Sequence, residues 1–493
     1  MTQVFESSCR FPFFDYFRVP YEVVEHLASL EGLPPRHPLN SCGRLRRQST
    51  ITAQRTAHWL SLNESDFGLS PAEYRLGSIP VFGRVLPDSV SKEWLNNSDL
   101  TWSPVDEIRD HGGTRIASVW RTEAGDLFLP FDPGEIIENY WSEAYQQMHN
   151  SSSLTHVKRL AVAGYYRARP LLPRAAQISL RRAYSNVQRR ARFPGWPIES
   201  ALHDFYGYIF RRLVEVADGI IPWIGFWPSG YSWALVLTHD VETQVGYDNL
   251  NLARDIESRL GYRSSWNFVP RRYAVEDGVV SELLGDGFEV GVHGLYHDGR
   301  DLGSLEVLHE RLPVMREYAE RWNAVGFRSP ATQRAWDWMP ELGFEYDSSY
   351  PDTDPFEPQA GGCCSLLPYF NQETVELPIT LPQDHTLYAI LEQADETLWL
   401  EKTEYIKGEN GMALIITHPD YLIEARVLES YKQFLTAFRE DPNVWHALPR
   451  DVNAWWRRRA ASSLVETDSG WRIIGPGKEE ASIQFAGPTS IAK

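Results

Sequence analysis

From residue 231 onward, short apolar runs recur with helix-like stretches between them, and this spacing restricts the chain to few folds. The runs are Ala234–Leu237, Ser265–Phe268, Phe288–Val292, Val325–Phe327, Phe344–Tyr346, Val375–Leu377 and Met412–Ile416. Segments 246–260, 276–285, 303–323 and 395–406 lie between them and carry helical patterning. Strands that alternate with helices predict a parallel sheet with crossover connections. The count suits an open sheet or a barrel equally.

Upstream the pattern is different. Residues 1–150 read as an α+β region, with a strand within Arg75–Val85, a hairpin around Glu123-Ala124-Gly125 and a helix over Pro133–Gln147. No catalytic pattern emerges there. Residues 151–230 read as a basic helical connector. Its first part is two helices broken near Pro170 and Pro173, and an amphipathic helix follows over 198–217. Residues 456–493 read as a short tail with strands near Trp471–Ile474 and Ser482–Phe485. The division is therefore 1–150, 151–230, 231–455 and 456–493, with no internal repeat.

Charge narrows the function classes. The chain carries a net −18, which argues against nucleic acid as a partner of the whole protein. The sign is uneven, because no Asp or Glu occurs from Ala144 to Ile198. Lys158, Arg159, Arg167, Arg169, Arg174, Arg181, Arg182, Arg189, Arg190 and Arg192 fall in that stretch. It suits an anionic glycan, a nucleotide-sugar phosphate or a membrane surface, or else a helix face pairing with the acidic remainder. The aromatic content (18 Trp, 23 Tyr and 22 Phe) is assigned chiefly to core filling. Four cysteines, two of them adjacent (Cys363 and Cys364), form no C-x-x-C and fit a reducing compartment. The N-terminus has no secretory pattern, and no apolar run approaches the roughly 18 residues of a membrane span. The expected location is cytoplasmic, and the oligomeric state is left open.

Five polar groups lie at or just past the ends of the predicted strands. Val290-Gly291-Val292-His293-Gly294-Leu295-Tyr296-His297 places two histidines at i and i+4, a spacing that on one helical turn lets both imidazoles reach one metal. Thr238-His239-Asp240-Val241-Glu242 ends another strand with carboxylates at i and i+2, one to ligate and one to take a proton from water. Arg328 in Gly326-Phe327-Arg328-Ser329-Pro330 is placed to hold a carboxylate base ionised. His418 follows Ile415-Ile416-Thr417, and Asp347 lies in Tyr346-Asp347-Ser348-Ser349. In parallel α/β folds such positions gather around the active site.

The ordered set T-H-D-V-E, H-x-x-x-H, F-R-S-P, Y-D-S-S and I-T-H-P resembles the polysaccharide deacetylase (NodB-homology, carbohydrate esterase 4-like) superfamily over roughly residues 231–450. The resemblance implies a distorted, TIM-barrel-like (β/α)7 domain that removes an N-acetyl group from an amino sugar in a glycan or glycan precursor. It implies Asp240 as general base, Arg328 as its tether and His418 as general acid. His293 and His297 would hold a divalent metal, zinc preferred, with iron, cobalt or nickel as alternatives. Val241 stands where a second aspartate is usual, which passes the metal-carboxylate role to Glu242. Pro330, Trp336, Ile416 and Asp347 are the expected substrate-side residues. Trp336 is weighed equally between cleft and core. Two other readings stay open: a cyclic amide or ureide hydrolase on the same fold, and a carbohydrate-binding protein with a degenerate site.

Overall fold

A computed structural model describes residues 4–24, 42–47, 55–61, 68–98, 100–149, 174–189 and 193–487. They fall into two compact units. One comprises the described parts of Met1–Thr155, Ser200–Gly225 and Arg458–Lys493, the other those of His156–Glu199 and Phe226–Arg457. The linear division drawn from the sequence is thus cut differently by the contacts: the 200–225 segment and the tail join the N-terminal residues.

The first unit is built on a mainly antiparallel nine-stranded sheet. Its order is Tyr21–Val23, Phe5–Ser7, Gly43–Arg47, Thr56–Trp59, Leu127–Leu129, Arg115–Thr122, Trp102–Asp110, Ala72–Leu76 and Ile79–Gly83. The helix predicted over 133–147 is interrupted, running Pro133–Trp141 and Tyr145–His149. Asp132 starts its first half by accepting a hydrogen bond from Gly134 N. The Ala201–Ala217 helix buries Phe205, Ile209 and Leu213 along one face. Phe13, Phe17, Tyr206 and Phe210 pack there with ring centroids 4.6–6.3 Å apart. The C-terminal residues add a Ser463–Thr467/Gly470–Ile474 hairpin, and Ile483–Ala486 pairs antiparallel with Ile221–Ile224.

The second unit carries the predicted alternation. Its sheet runs Tyr369–Asn371, Thr374–Glu376, Tyr346–Asp347, Gly326–Phe327, Glu289–Val292, Ser265–Phe268, Trp233–Val241 and Met412–Thr417, with Val444–Ala447 also on Trp233–Val241. Every pairing is parallel except that of the first two strands. All nine residues of Trp233–Val241 are buried, as expected for a parallel strand covered on both faces. Ile379 N donates to Tyr350 O (2.8 Å) and Leu381 N to Leu414 O (3.0 Å), so this segment bonds toward both ends of the sheet.

Helices Asn251–Leu260, Asp277–Gly285, Leu305–Trp322, Thr397–Gly408 and Ala425–Phe438 lie between successive strands. Leu305–Trp322 shows why they pack. Leu308, Leu312, Met315, Ala319 and Trp322 recur on one face and are buried, and each large apolar side chain contributes about 1.5–3 kcal/mol. Ser304 caps its N-terminus through Val307 N.

Candidate active site

The C-terminal ends of five parallel strands converge on one group of polar side chains. Asp240 is the penultimate residue of Trp233–Val241. His293 follows Glu289–Val292, Arg328 follows Gly326–Phe327, and His418 follows Met412–Thr417. The fifth strand, Ser265–Phe268, contributes Asn267, which is paired in register with Asp240.

His297 reaches the group differently from the sequence expectation. The spacing of His293 and His297 predicts a helical turn, but the chain between them is a loop with Gly294 at φ +62° and His297 itself at φ +55°. Gly294 is required there. A Cβ would lie 2.3 Å from Asp301 Oδ2 and 2.6 Å from Pro330 Cγ. Asp301 accepts from Leu295 N (3.1 Å), and Arg311 clamps Asp301 and Asp298 at 2.6 and 2.7 Å. The left-handed conformation of His297 is held by this frame, a pattern typical of functional loops. The two imidazole centroids end 5.1 Å apart.

Glu242, His293 and His297 offer ligand atoms that all lie within 4.8 Å of one another. His297 Nε2 is 2.9 Å from Glu242 Oε1. His293 Nδ1 lies 3.0 Å from the Arg328 carbonyl, so it carries the proton, and Nε2 is left with a free lone pair and no hydrogen-bond partner. Burial holds His293 down at about 4, hence neutral. Burial opposes ionisation of Glu242, but His297 and His418 outweigh it and keep its carboxyl well below the ordinary range. A neutral, buried imidazole with an unused nitrogen beside an ionised carboxylate is the donor set a divalent cation requires.

Two supported pairs flank this cluster. Asp240 Oδ1 accepts from Asn267 Nδ2 at 2.9 Å and lies 3.5 Å from an Arg328 nitrogen. Arg328 is in turn fixed by Thr238 (3.2 Å) and Ser348 (3.0 Å). Burial would raise Asp240, yet Arg328, His293 and His418 together bring it below its usual value. Its other oxygen, Oδ2, sits 3.9 Å from His293 Nε2. His418 has Nδ1 2.6 Å from Asp384 Oδ1, while its backbone N donates to Asp384 Oδ2 at 2.7 Å. Burial disfavours the imidazolium, but Asp384 wins and His418 is pushed up to about 10. Its Nε2 points into the cluster, 3.7 Å from Glu242 Oε1.

Solved structures similar to this chain include polysaccharide deacetylases. One is a putative polysaccharide deacetylase from Mycobacterium smegmatis, at 17% identity over 47% of this chain and 92% of that one, with a TM-score of 0.37. A probable polysaccharide deacetylase from Pseudomonas aeruginosa PAO1 is 15% identical over 48% and 94%, with a TM-score of 0.38. Puue allantoinase is 15% identical over 48% and 93%, with a TM-score of 0.39. No family profile matches the chain, and no curated protein sequence is similar to it.

The remaining expected residues are placed as follows. Pro330 is buried and opens a short 3-10 turn against the His293 loop. Ile416 is buried in its strand, in register with Thr238. Trp336 is half-buried, with its ring 6.2 Å from both Tyr369 and Tyr350. Asp347 is buried beside Ser349 and Glu376. Its carboxylate accepts from Ser349 Oγ (2.7 Å) and faces Glu376, and burial raises both carboxyls so that the pair shares a proton. In the basic stretch, Arg181 lies 3.6 Å from Glu357 and Arg182 2.6 Å from Glu392. Those two pair with acidic residues of their own unit, while Lys158, Arg159, Arg167, Arg169, Arg190 and Arg192 lie outside the described residues.

Sequence reasoning missed Asn267 and Asp384. The signal for Asn267 was present, since it is one more polar residue at the end of an apolar run. Asp384 follows Leu381-Pro382-Gln383, and only the backbone bonds of Ile379–Leu381 reveal that this segment leads to the site.

Proposed function

We propose that this chain is a metal-dependent hydrolase of carbon–nitrogen amide bonds, removing an N-acetyl group from an amino sugar of a glycan or glycan precursor. One observation carries the reading: the Glu242/His293/His297 donor set lies between a tethered carboxylate and a tethered, protonated imidazole. The deacetylase resemblance of the same residues supplies the substrate class. It also makes the sheet of the second unit a distorted seven-stranded barrel, a reading supported by the Ile379 and Leu381 hydrogen bonds.

Glu242, His293 and His297 would hold the cation. Two nitrogens and one oxygen suit zinc at a catalytic site, and iron, cobalt or nickel accept the same donors. When bound, such an ion supplies Lewis acidity toward water and an acyl oxygen. Asp240 has Oδ1 engaged by Asn267 and Arg328, which leaves Oδ2 to accept the proton of an attacking water. His418, charged and held by Asp384, presents Nε2–H to the departing nitrogen and delivers the proton that makes it an amine. Water adds to the carbonyl carbon, the C–N bond breaks, and acetate and the free amine are the products. Arg328 keeps Asp240 ionised before the reaction.

The test is hydrolysis of N-acetylated amino sugars and of cyclic imides by the purified, zinc-loaded protein. Release of acetate that disappears in Asp240→Asn supports the proposal. Turnover of cyclic imides alone assigns the site to the cyclic-amide reading, and zinc binding with no hydrolysis of either class leaves a binding protein.

A further inference from the structure

We propose that Asp420 is a positioning residue for the metal ligand Glu242, holding its backbone where the carboxylate meets His293 and His297. This role rests on the metal-dependent reading above. Glu242 is the first residue past the Trp233–Val241 strand, and no strand pairing includes it. On one side the pairing ends at His239 with Thr417, on the other at Val241 with Phe268. A metal ligand must be held within about 0.5 Å of its working place. Glutamate is long and rich in rotamers, so a loose backbone would leave its carboxylate far from fixed. Tyr273 steadies the residue before it, its hydroxyl donating to the Val241 carbonyl. Something else has to hold Glu242 itself.

Asp420 takes over where the ladder stops. Extending the register of His239 with Thr417 by three residues sets Asp420 opposite Glu242. The backbone cannot continue the pairing, because Pro419 has no N–H and opens the Pro419–Leu422 helix. The Asp420 side chain bonds in its place. Its Oδ2 accepts from Glu242 N in a long bond of 3.4 Å, and its Oδ1 accepts a shorter one from Thr243 Oγ1. Thr243 in turn caps the Gln244–Tyr247 helix, its hydroxyl accepting from Val245 N at 3.2 Å. The carboxylate lies so close to that helix that a Cβ on Gly246 would fall 2.2 Å from Oδ2 and 3.3 Å from Asp420 N. Glycine at 246 is what admits it. Among the described residues Asp420 pairs with no Lys, Arg or His, so its bonds go to the turn that carries Glu242. Asp420 also lies two residues after His418. One short segment therefore carries the proton donor and steadies the metal ligand.

The experiment is a zinc titration of the full-length, metal-free protein against a chelating fluorescent indicator, with thermal melts of the same metal-free samples. Asp420→Ala should raise the zinc Kd about 10–100-fold, the usual cost of losing a residue that holds a metal ligand. Asp420→Asn should stay close to the unaltered value, because its amide oxygen accepts from Glu242 N and its NH2 can donate to Thr243 Oγ1. Gly246→Ala keeps the Asp420 carboxyl but drives it from its place, so it should weaken zinc as Asp420→Ala does. A lower metal-free melt with an unchanged Kd in both Asp420→Ala and Gly246→Ala overturns the proposal, since Asp420 would then serve the fold alone. Asp420→Asn binding as weakly as Asp420→Ala also overturns it, since charge rather than the bonds to the turn would be at work. Zinc that is lost in His293→Ala but held unchanged in Asp420→Ala removes this role and leaves the metal site standing. Zinc that the unaltered chain does not hold removes both.

Discussion

Asp384→Asn should separate the two protonation states on which the proposed chemistry depends. Asp384 is fully buried and offers His418 both oxygens, one to Nδ1 at 2.6 Å and one to the backbone N at 2.7 Å. Asparagine keeps one acceptor and turns an NH2 donor toward another donor. With the charge gone, burial is the leading influence on the imidazolium, so His418 drops from about 10 to its ordinary 6.5 or below. At pH 8 a group with pKa 6.5 is protonated in about 3% of molecules, so kcat/KM there should fall roughly 30-fold below the variant's own low-pH plateau. A bound cation repels the imidazolium alike in both proteins, so the direction of the difference is kept. Stability follows the same sign. A histidine raised in the folded state stabilises fully below pH 6.5, and that contribution disappears as pH rises through about 10. The variant's stability deficit should therefore shrink at high pH, leaving the part that comes from the mismatched donors. The assay is a kcat/KM pH profile together with an NMR titration of the His418 ring protons. An unchanged basic limb beside a lowered His418 titration would refute its role as proton donor.

Three further outcomes test the rest of the site. The unaltered protein should retain near-stoichiometric zinc after desalting and His293→Ala should not, and zinc at a hundred times its Kd should stabilise the former by roughly 2.7 kcal/mol and leave the latter unchanged; metal analysis and calorimetry read both. Asn267→Ala removes the donor that favours ionised Asp240, so the acidic limb of the activity profile should move up and stability should drop by about 1.5–3 kcal/mol above it. Tyr346→Phe takes the hydroxyl from buried Glu289 (2.7 Å), which burial already raises to about 7. Denaturant melts should show a loss of about 1–3 kcal/mol that is larger above pH 7, where Glu289 must ionise without that donor.

The strand ends were legible because a fully buried parallel strand has to be a continuous apolar run, and a polar residue just past it stands out. Asp240, His293, Arg328 and His418 were all found in this way. The shape of the His293–His297 loop was not legible. An i, i+4 spacing reads as a helical turn, and only the contacts of Gly294 with Asp301 and Pro330 exclude that conformation. Asp347 looked equivalent to the others, because its carboxyl partner Glu376 is 29 residues away and comes beside it only through strand pairing. Asp384 was hidden for a related reason, since its partner is 34 residues distant and no local pattern links them. The first unit is joined from three separate stretches of chain, an arrangement that composition and periodicity do not encode.

His239 shows how the working residues are held in one register. Its Nε2 lies 2.6 Å from Glu257 Oε1, its Nδ1 2.7 Å from Thr417 Oγ1, and its ring centroid 4.2 Å from that of Trp266. Tyr431 and Ser264 complete the coordination of Glu257, each at 2.6 Å. Each residue touched on a strand immediately precedes one that faces the site: His239 precedes Asp240, Trp266 precedes Asn267, and Thr417 precedes His418. Successive side chains on a strand point to opposite faces, so a contact on the rear face fixes the relative height of the residues on the front. A buried polar network is costly unless its members are satisfied, and here His239, Thr417, Tyr431, Ser264 and Glu257 each have a partner. The network therefore specifies register as well as stability: a slip of one residue in Trp233–Val241 would take His239 from Glu257 and turn Asp240 away from the site.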